Sequence, residues 1–177
     1  MLIDWLDQRI FFVNILAKAV LFDGISVRVT NILGEAFINE PVSNPYYSLL
    51  RILDEEEPAA IHIVDFHGEA TGEKMCFALA FDGKVTAVLG THTHVQTKDT
   101  RILPQGTAFV SDVGMCGLYN GVLGFESSSV IKKTIYGQPS KFECPDNGQG
   151  LFCGVVIDAD ENTGLANDIF PIYYVEE

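Results

Sequence analysis

Basic residues are few in this chain: 11 Lys and Arg stand against 24 Asp and Glu, for a formal charge of −13. Broad binding to nucleic acid or to an anionic membrane needs clustered Lys and Arg, and the basic residues here are scattered, so neither is expected. Cysteine is also scarce. Cys76, Cys116, Cys144 and Cys153 show no Cys-x-x-Cys spacing and follow no secretory leader, which argues against a zinc knuckle or a disulfide framework. They are expected to be reduced thiols in a cytoplasmic protein. Long apolar runs are missing as well. The densest, Ile10 to Ala17, comes after Asp4 and Asp7 where a signal peptide would be basic, and Asn14 and Lys18 cut it short of a membrane span. No Pro-, Gly- or Ser-rich linker, internal repeat or low-complexity tract divides the chain. Residues 1–177 are therefore expected to form a single domain, with 1–24 a poorly specified N-terminal segment.

The residues that are present are apolar enough to fold. A mean hydropathy of +0.20 with 20% charged residues argues against disorder. Leu2, Trp5 and Leu6 and the apolar run after them have helical spacing with a stop at Asp23-Gly24, predicting a buried or poorly specified helix. Ile25 to Leu33 alternates apolar and polar residues, as a half-buried strand does. Asn44-Pro45 supplies an N-cap and a proline at the first helical position. Behind it Tyr46, Leu49, Leu50 and Leu53 form one face of a surface helix that ends in the acidic Asp54 to Glu57. Strands are predicted at Ala60 to Phe66, Val85 to Leu89 and Thr107 to Val113, with a helix at Glu73 to Ala80 and a turn at Asp82-Gly83. Ser127 to Ser129 can cap a short helix through Lys133. Leu151 to Ile157 and Ala166 to Tyr174 close the chain as an antiparallel pair. The order of elements predicts an α/β sandwich.

The stretch from Val85 to Val95 carries the chemistry. Its apolar run ends in Gly90 and delivers His92 and His94, two imidazoles spaced by one residue. If the segment is extended, both rings lie on the same side and make a chelating pair. The alternative is a polar turn with two solvated rings. His67 closes another strand just before a helix, at the carboxyl end where ligands of open α/β sheets bind, so it is a metal candidate or else a capping or structural histidine. His62 lies inside that strand and is expected to be a core or interface ring bonded to a neighbour. A bound cation would supply the positive charge that an anionic substrate needs and the side chains lack. The glycine-rich segment Gly114, Gly117, Gly121 and Gly124, with Asp112, Met115 and Tyr119, can wall a pocket or be a flexible surface excursion.

Three segments resemble the signatures of one family. Asp65-Phe66-His67-Gly68-Glu69-Ala70-Thr71-Gly72-Glu73-Lys74 is similar to its DFHAEATSEK segment. Gly90-Thr91-His92-Thr93-His94-Val95 matches its GTHTHV segment. Ile102-Leu103-Pro104 through Ser111-Asp112-Val113-Gly114-Met115 is similar to its ILP and SDVGM region. The family is the small bacterial calcineurin-like metallophosphoesterases related to 2′,3′-cyclic-nucleotide phosphodiesterases, and the resemblance covers about residues 25 to 160. It implies a metallophosphoesterase-type α/β sandwich and a centre of two divalent transition metal ions, whether iron, manganese or zinc. His67 and His92 would ligate one ion and His94 the other. The substrate class implied is a small phosphodiester or cyclic nucleotide.

The chain departs from the family pattern in its first part. The GD aspartate, the GEN glutamate and asparagine and the GNH asparagine and histidine have no counterpart here. Trp5 to Arg9 is weakly similar to the family residues just after GNH, so residues 25–177 are expected to be the C-terminal part of a fold truncated at its N-terminus. No catalytic residue is assigned, and no substrate-binding residue is identified. Asp65, Glu69 or Asp112 could replace the missing carboxylates only by facing the site. Without them the remaining histidines make at most a weak metal-binding module or a non-catalytic remnant. A sheet lacking its first strands would leave an open edge, which predicts a homo-oligomer or low solubility.

Overall fold

Asp23 and Gly24 have φ of 51° and 86°, the two left-handed residues that a two-residue type I′ turn requires. In the computed structural model, which describes residues 15–38 and 42–177, they join β1 (Ile15–Phe22) to β2 (Ile25–Leu33) as an antiparallel hairpin with Phe22 opposite Ile25. The predicted N-terminal helix is thus corrected to a strand over residues 15–22; its earlier part lies outside the described residues. Asp23-Gly24 is a reversal rather than a stop, and pairing along the β2 edge satisfies the segment's backbone better than an uncapped apolar helix would.

The hairpin continues into a mixed six-stranded sheet of order β1-β2-β3-β4-β6-β5. Its other strands are β3 (Ile61–His67), β4 (Ala87–Thr91), β5 (Arg101–Ile102) and β6 (Ala108–Val110). β2, β3, β4 and β6 run parallel, whereas β1 and β5 are antiparallel edges. A second sheet is wholly antiparallel: β7 (Cys116–Leu118), β8 (Gly150–Ala159) and β9 (Ala166–Val175). The helices are α1 (Pro45–Glu55), α2 (Thr71–Ala80) and α3 (Ser127–Thr134).

Two apolar layers hold these elements together. Leu49 of α1 and Phe77 and Ala78 of α2 pack on Ile32, Val64, Phe66, Val88 and Phe109 of the large sheet. Phe77 stacks between Phe66 and Phe81, with ring centroids 4.6 and 4.9 Å away. On the opposite face Ala87 and Ala108 meet Ala166 and Ile169 of the second sheet, small residues letting the two sheets approach. The result is the expected α/β sandwich.

α1 begins as its sequence predicts, with the Asn44 side chain accepting from the backbone N–H of Tyr46 and Tyr47. Its buried face is shifted, however, running through Ser48, Leu49 and Ile52 rather than Tyr46 and Leu50. β2 buries two polar residues: Arg28 and Thr30 are inside together with Ile32, while Val29 is exposed. The Arg28 guanidinium donates to the Glu57 carbonyl at 2.7 Å, and Thr30 Oγ1 lies 2.8 Å from His62 Nε2. His62 is thus the buried, neighbour-bonded ring expected of it. Among the described residues no helix is long and apolar enough to cross a membrane.

Candidate functional site

β3, β4 and β6 end side by side, and the ladder sets His67 opposite Thr91. In a parallel sheet these carboxyl ends are where loops can gather around a ligand. His67 Nδ1 is 3.0 Å from Thr91 Oγ1, and that hydroxyl donates to Asp65 Oδ1 at 2.7 Å. Asp65 Oδ2 also accepts from Asn31 Nδ2 at 2.7 Å. A hydroxyl has one proton, and the carboxylate takes it. His67 Nδ1 must therefore donate to Thr91, which leaves the lone pair on Nε2. Burial, then the neighbouring His92 ring, holds the His67 imidazole below its ordinary pKa, with Asp65 opposing. At neutral pH Nε2 is a free base of fixed direction.

That lone pair faces His92. Its Nδ1 lies 3.1 Å from His67 Nε2, with the rings nearly perpendicular at 82°. Its Nε2 lies 3.0 Å from the Glu69 carboxylate. Two nitrogen ligands on one ion, each at about 2.0–2.1 Å, stand about 2.9–3.4 Å apart for right-angled to tetrahedral bonds. His67 and His92 fit that spacing. Glu69 sits at the other nitrogen of the His92 ring, so it does not complete the same cage, and among the described residues no three His, Cys, Asp or Glu side chains form a ready-made metal group.

The geometry at His92 and His94 differs from the expectation. The strand ends at Thr91, and His92 and His94 have φ of 119° and 66°, so the two rings do not alternate off an extended segment. A residue with positive φ leaves the pleat, and the side-chain period of two is lost with it. His94 is exposed, and among the described residues no hydrogen bond joins it to His67 or His92. Just beyond, the Gln96 amide nitrogen lies within hydrogen-bonding distance of the Val113, Gly154 and Ile172 carbonyls, bridging the loop to the second sheet. The glycine-rich segment folds back on itself through bridges between Leu118 and Gly124 and between Val122 and Phe125.

Of the three carboxylates that the sequence offers, Glu69 reaches the site directly and Asp65 acts through Thr91. Asp112 is buried and turned to Lys74 and Thr93. Thr91 is not singled out by its sequence, and only the strand register gives it a role. A cleft of about 520 Å³ lined by Ile25, Ile61 and Thr86 opens at the amino ends of the same strands, away from the histidines.

Residues 14–172 match the family described as YmdB-like protein. A 2′,3′-cyclic-nucleotide 2′-phosphodiesterase of Bacillus subtilis is 41% identical over 145 residues, covering 81% of this chain and 54% of that protein. Among solved structures, a hypothetical protein from Thermus thermophilus has a TM-score of 0.82 at 34% identity, over 91% of this chain and 62% of that one. A novel phosphatase from Mycoplasma pneumoniae has a TM-score of 0.77 at 36% identity, over 91% and 57%. The chain thus spans little more than half the length of the relatives it matches.

Proposed function

The chain belongs to the YmdB-like family, and from that premise we propose that it carries the histidine side of a metal-dependent phosphoesterase centre. The substrate class is a small phosphodiester, including cyclic nucleotides, as the name of the Bacillus subtilis relative suggests. His67 and His92 would hold one divalent transition metal ion, iron, manganese or zinc, and His94 a second. The observation that carries this reading is the 3.1 Å between His67 Nε2 and His92 Nδ1, with the Asp65 and Thr91 relay fixing which His67 nitrogen is free. When bound, such an ion polarises a phosphoryl oxygen and lowers the pKa of a coordinated water. The residues of this chain do the rest by position. Asp65 and Thr91 hold the His67 proton on Nδ1, and Glu69 accepts from His92 whenever that ring carries a proton on Nε2.

A metal-binding module with little turnover of its own is the second reading. It is favoured by the site itself: among the described residues no three His, Cys, Asp or Glu side chains form a ready-made metal group, and the buried Asp112 is turned to Lys74 instead. A bridging carboxylate sets the second ion and a general acid protonates the leaving group, the latter commonly worth about 10²- to 10⁴-fold. Residues that act as a unit are not replaced one by one.

One experiment separates the two. Metal content after dialysis against Mn²⁺, Fe²⁺ or Zn²⁺ is measured for the chain and for His67→Ala and His92→Ala, together with hydrolysis of bis-p-nitrophenyl phosphate and 2′,3′-cyclic AMP. Metal lost in both variants with no turnover in the parent supports the module. Metal-dependent turnover that disappears in the variants supports the enzyme. Metal content unchanged by both substitutions would refute the proposed ligands.

A further inference from the structure

A second polar cluster lies beneath the histidines. Lys74, in the first turns of α2, is fully buried, and its ammonium lies 2.8 Å from the Thr91 carbonyl and 3.3 Å from Asp112 Oδ2. Asp112 is buried as well, and the same oxygen accepts from the Thr93 backbone N–H at 2.9 Å and its hydroxyl at 2.8 Å. Its other oxygen accepts from Gly114 N–H at 2.9 Å. The Thr91 carbonyl also receives Gly68 N–H at 3.3 Å. One ammonium and one carboxylate therefore tie together the chain leaving β3, the end of β4 and the chain leaving β6.

The path of Lys74 is built into the backbone beside it. A Cβ on Gly90 would lie 2.9 Å from Lys74 Cδ and only 1.8 Å from the Ser111 carbonyl oxygen. Gly90 is needed there for close approach. A buried ion pair is a poor way to gain stability, because removing both charges from water costs about as much as their attraction returns. What such a pair does supply is direction. Thr93 stands between His92 and His94, both with positive φ, a conformation that persists only where surrounding contacts enforce it.

We infer that Lys74 and Asp112 are positioning residues for the His92–His94 loop: the pair anchors Thr93 and so fixes where the two imidazoles stand, without touching metal or substrate. The inference rests on the metal reading above for its purpose but not for its geometry. Contacts behind first-sphere ligands typically contribute about 10- to 100-fold in metal affinity.

The test compares Asp112→Asn, which keeps an acceptor for Thr93 but removes the charge facing Lys74, with Asp82→Asn. Asp82 is a similarly buried carboxylate that accepts from Gln105 and Thr107 N–H instead. Lys74→Met is the second variant of the pair. Binding of Mn²⁺ and of Zn²⁺ is measured by calorimetry, amide exchange of Thr93 by NMR and stability by urea unfolding. The expected result is that Asp112→Asn and Lys74→Met speed Thr93 exchange and weaken binding about 10- to 100-fold, while Asp82→Asn lowers stability and changes neither. If the parent chain binds neither ion, the metal reading fails, and Thr93 exchange still decides the role of the pair. Equal Thr93 exchange in the Asp112 and Asp82 variants would overturn it.

Discussion

Acidification should weaken the fold through the buried ring of His62. It is 6% exposed, and burial, followed by the Arg28 guanidinium, lowers its pKa from 6.5 to about 4. The unfolded chain takes up a proton there near pH 6.5, whereas the folded chain waits until near pH 4. The unfolded state thus binds more protons across that window. Stability from this group is complete above pH 6.5, falls as the pH drops, and is fully lost below about pH 4. At 1.36 kcal/mol for each tenfold, the whole fall is about 3 kcal/mol, a large part of the margin of an ordinary domain. His62→Gln keeps a side chain able to reach Thr30 Oγ1, 2.8 Å from His62 Nε2 in the parent, but it cannot be protonated in this range. The assay is urea unfolding of both proteins at a series of pH values from neutrality down to about 4. At neutrality the variant should be less stable by about 1 kcal/mol, the worth of a weakened hydrogen bond, and the difference should shrink or reverse sign towards low pH. Contributions common to both proteins, His67 included, cancel in that difference. A gap that stays constant across the window would refute the argument.

Thr91→Val keeps the β-branched shape but removes the hydroxyl shared by His67 and Asp65; calorimetry should show metal affinity about 10- to 100-fold weaker, and urea unfolding a loss of about 1–3 kcal/mol. Gly90→Ala places a methyl 1.8 Å from a backbone oxygen, so circular dichroism and expression tests should find no stably folded protein. The edge strand β1 and its neighbour leave Val20, Leu21, Phe22 and Val29 between 46% and 78% exposed, which predicts concentration-dependent self-association in sedimentation velocity, reduced by Val29→Lys. A parent chain that stays monomeric at every concentration would count against this.

Much of the architecture is legible in local pattern, because the signals there are local. The Asn44-Pro45 start of α1, the strand before His67 and the long pair β8 and β9 each carry their own cap or alternation. β1 is not legible this way: its apolar residues fit helix or strand alike, and only the left-handed φ at Asp23 and Gly24 turns it back on β2. Thr107 to Val113 reads as one strand but leaves the sheet after Val110, because Asp112 turns in to meet Lys74. At the site, His67 and His92 are legible as a pair to be brought together, whereas the arrangement of His92 and His94 is not. Extended periodicity assumes an extended backbone, and a tertiary anchor on Thr93 replaces it with two positive-φ residues. Thr91 and Lys74 are ordinary polar residues in the sequence. Their roles come from strand register and burial, which a spacing rule does not contain.

His67 and Thr91 are 24 residues apart in the chain and directly opposed in the ladder. The distance between them is fixed by the rungs of the sheet and owes nothing to the length of the connection through α2. Lengthening that connection costs little, since each doubling of a loop adds only about 0.6 kcal/mol of closure entropy. A single-residue slip of β4 against β3 is another matter, because it would turn the Thr91 hydroxyl to the far face of the sheet and take the His67 tautomer with it. The centre therefore tolerates drift in length and is strict about parity: odd or even in the strand decides whether the imidazole offers a lone pair or a proton.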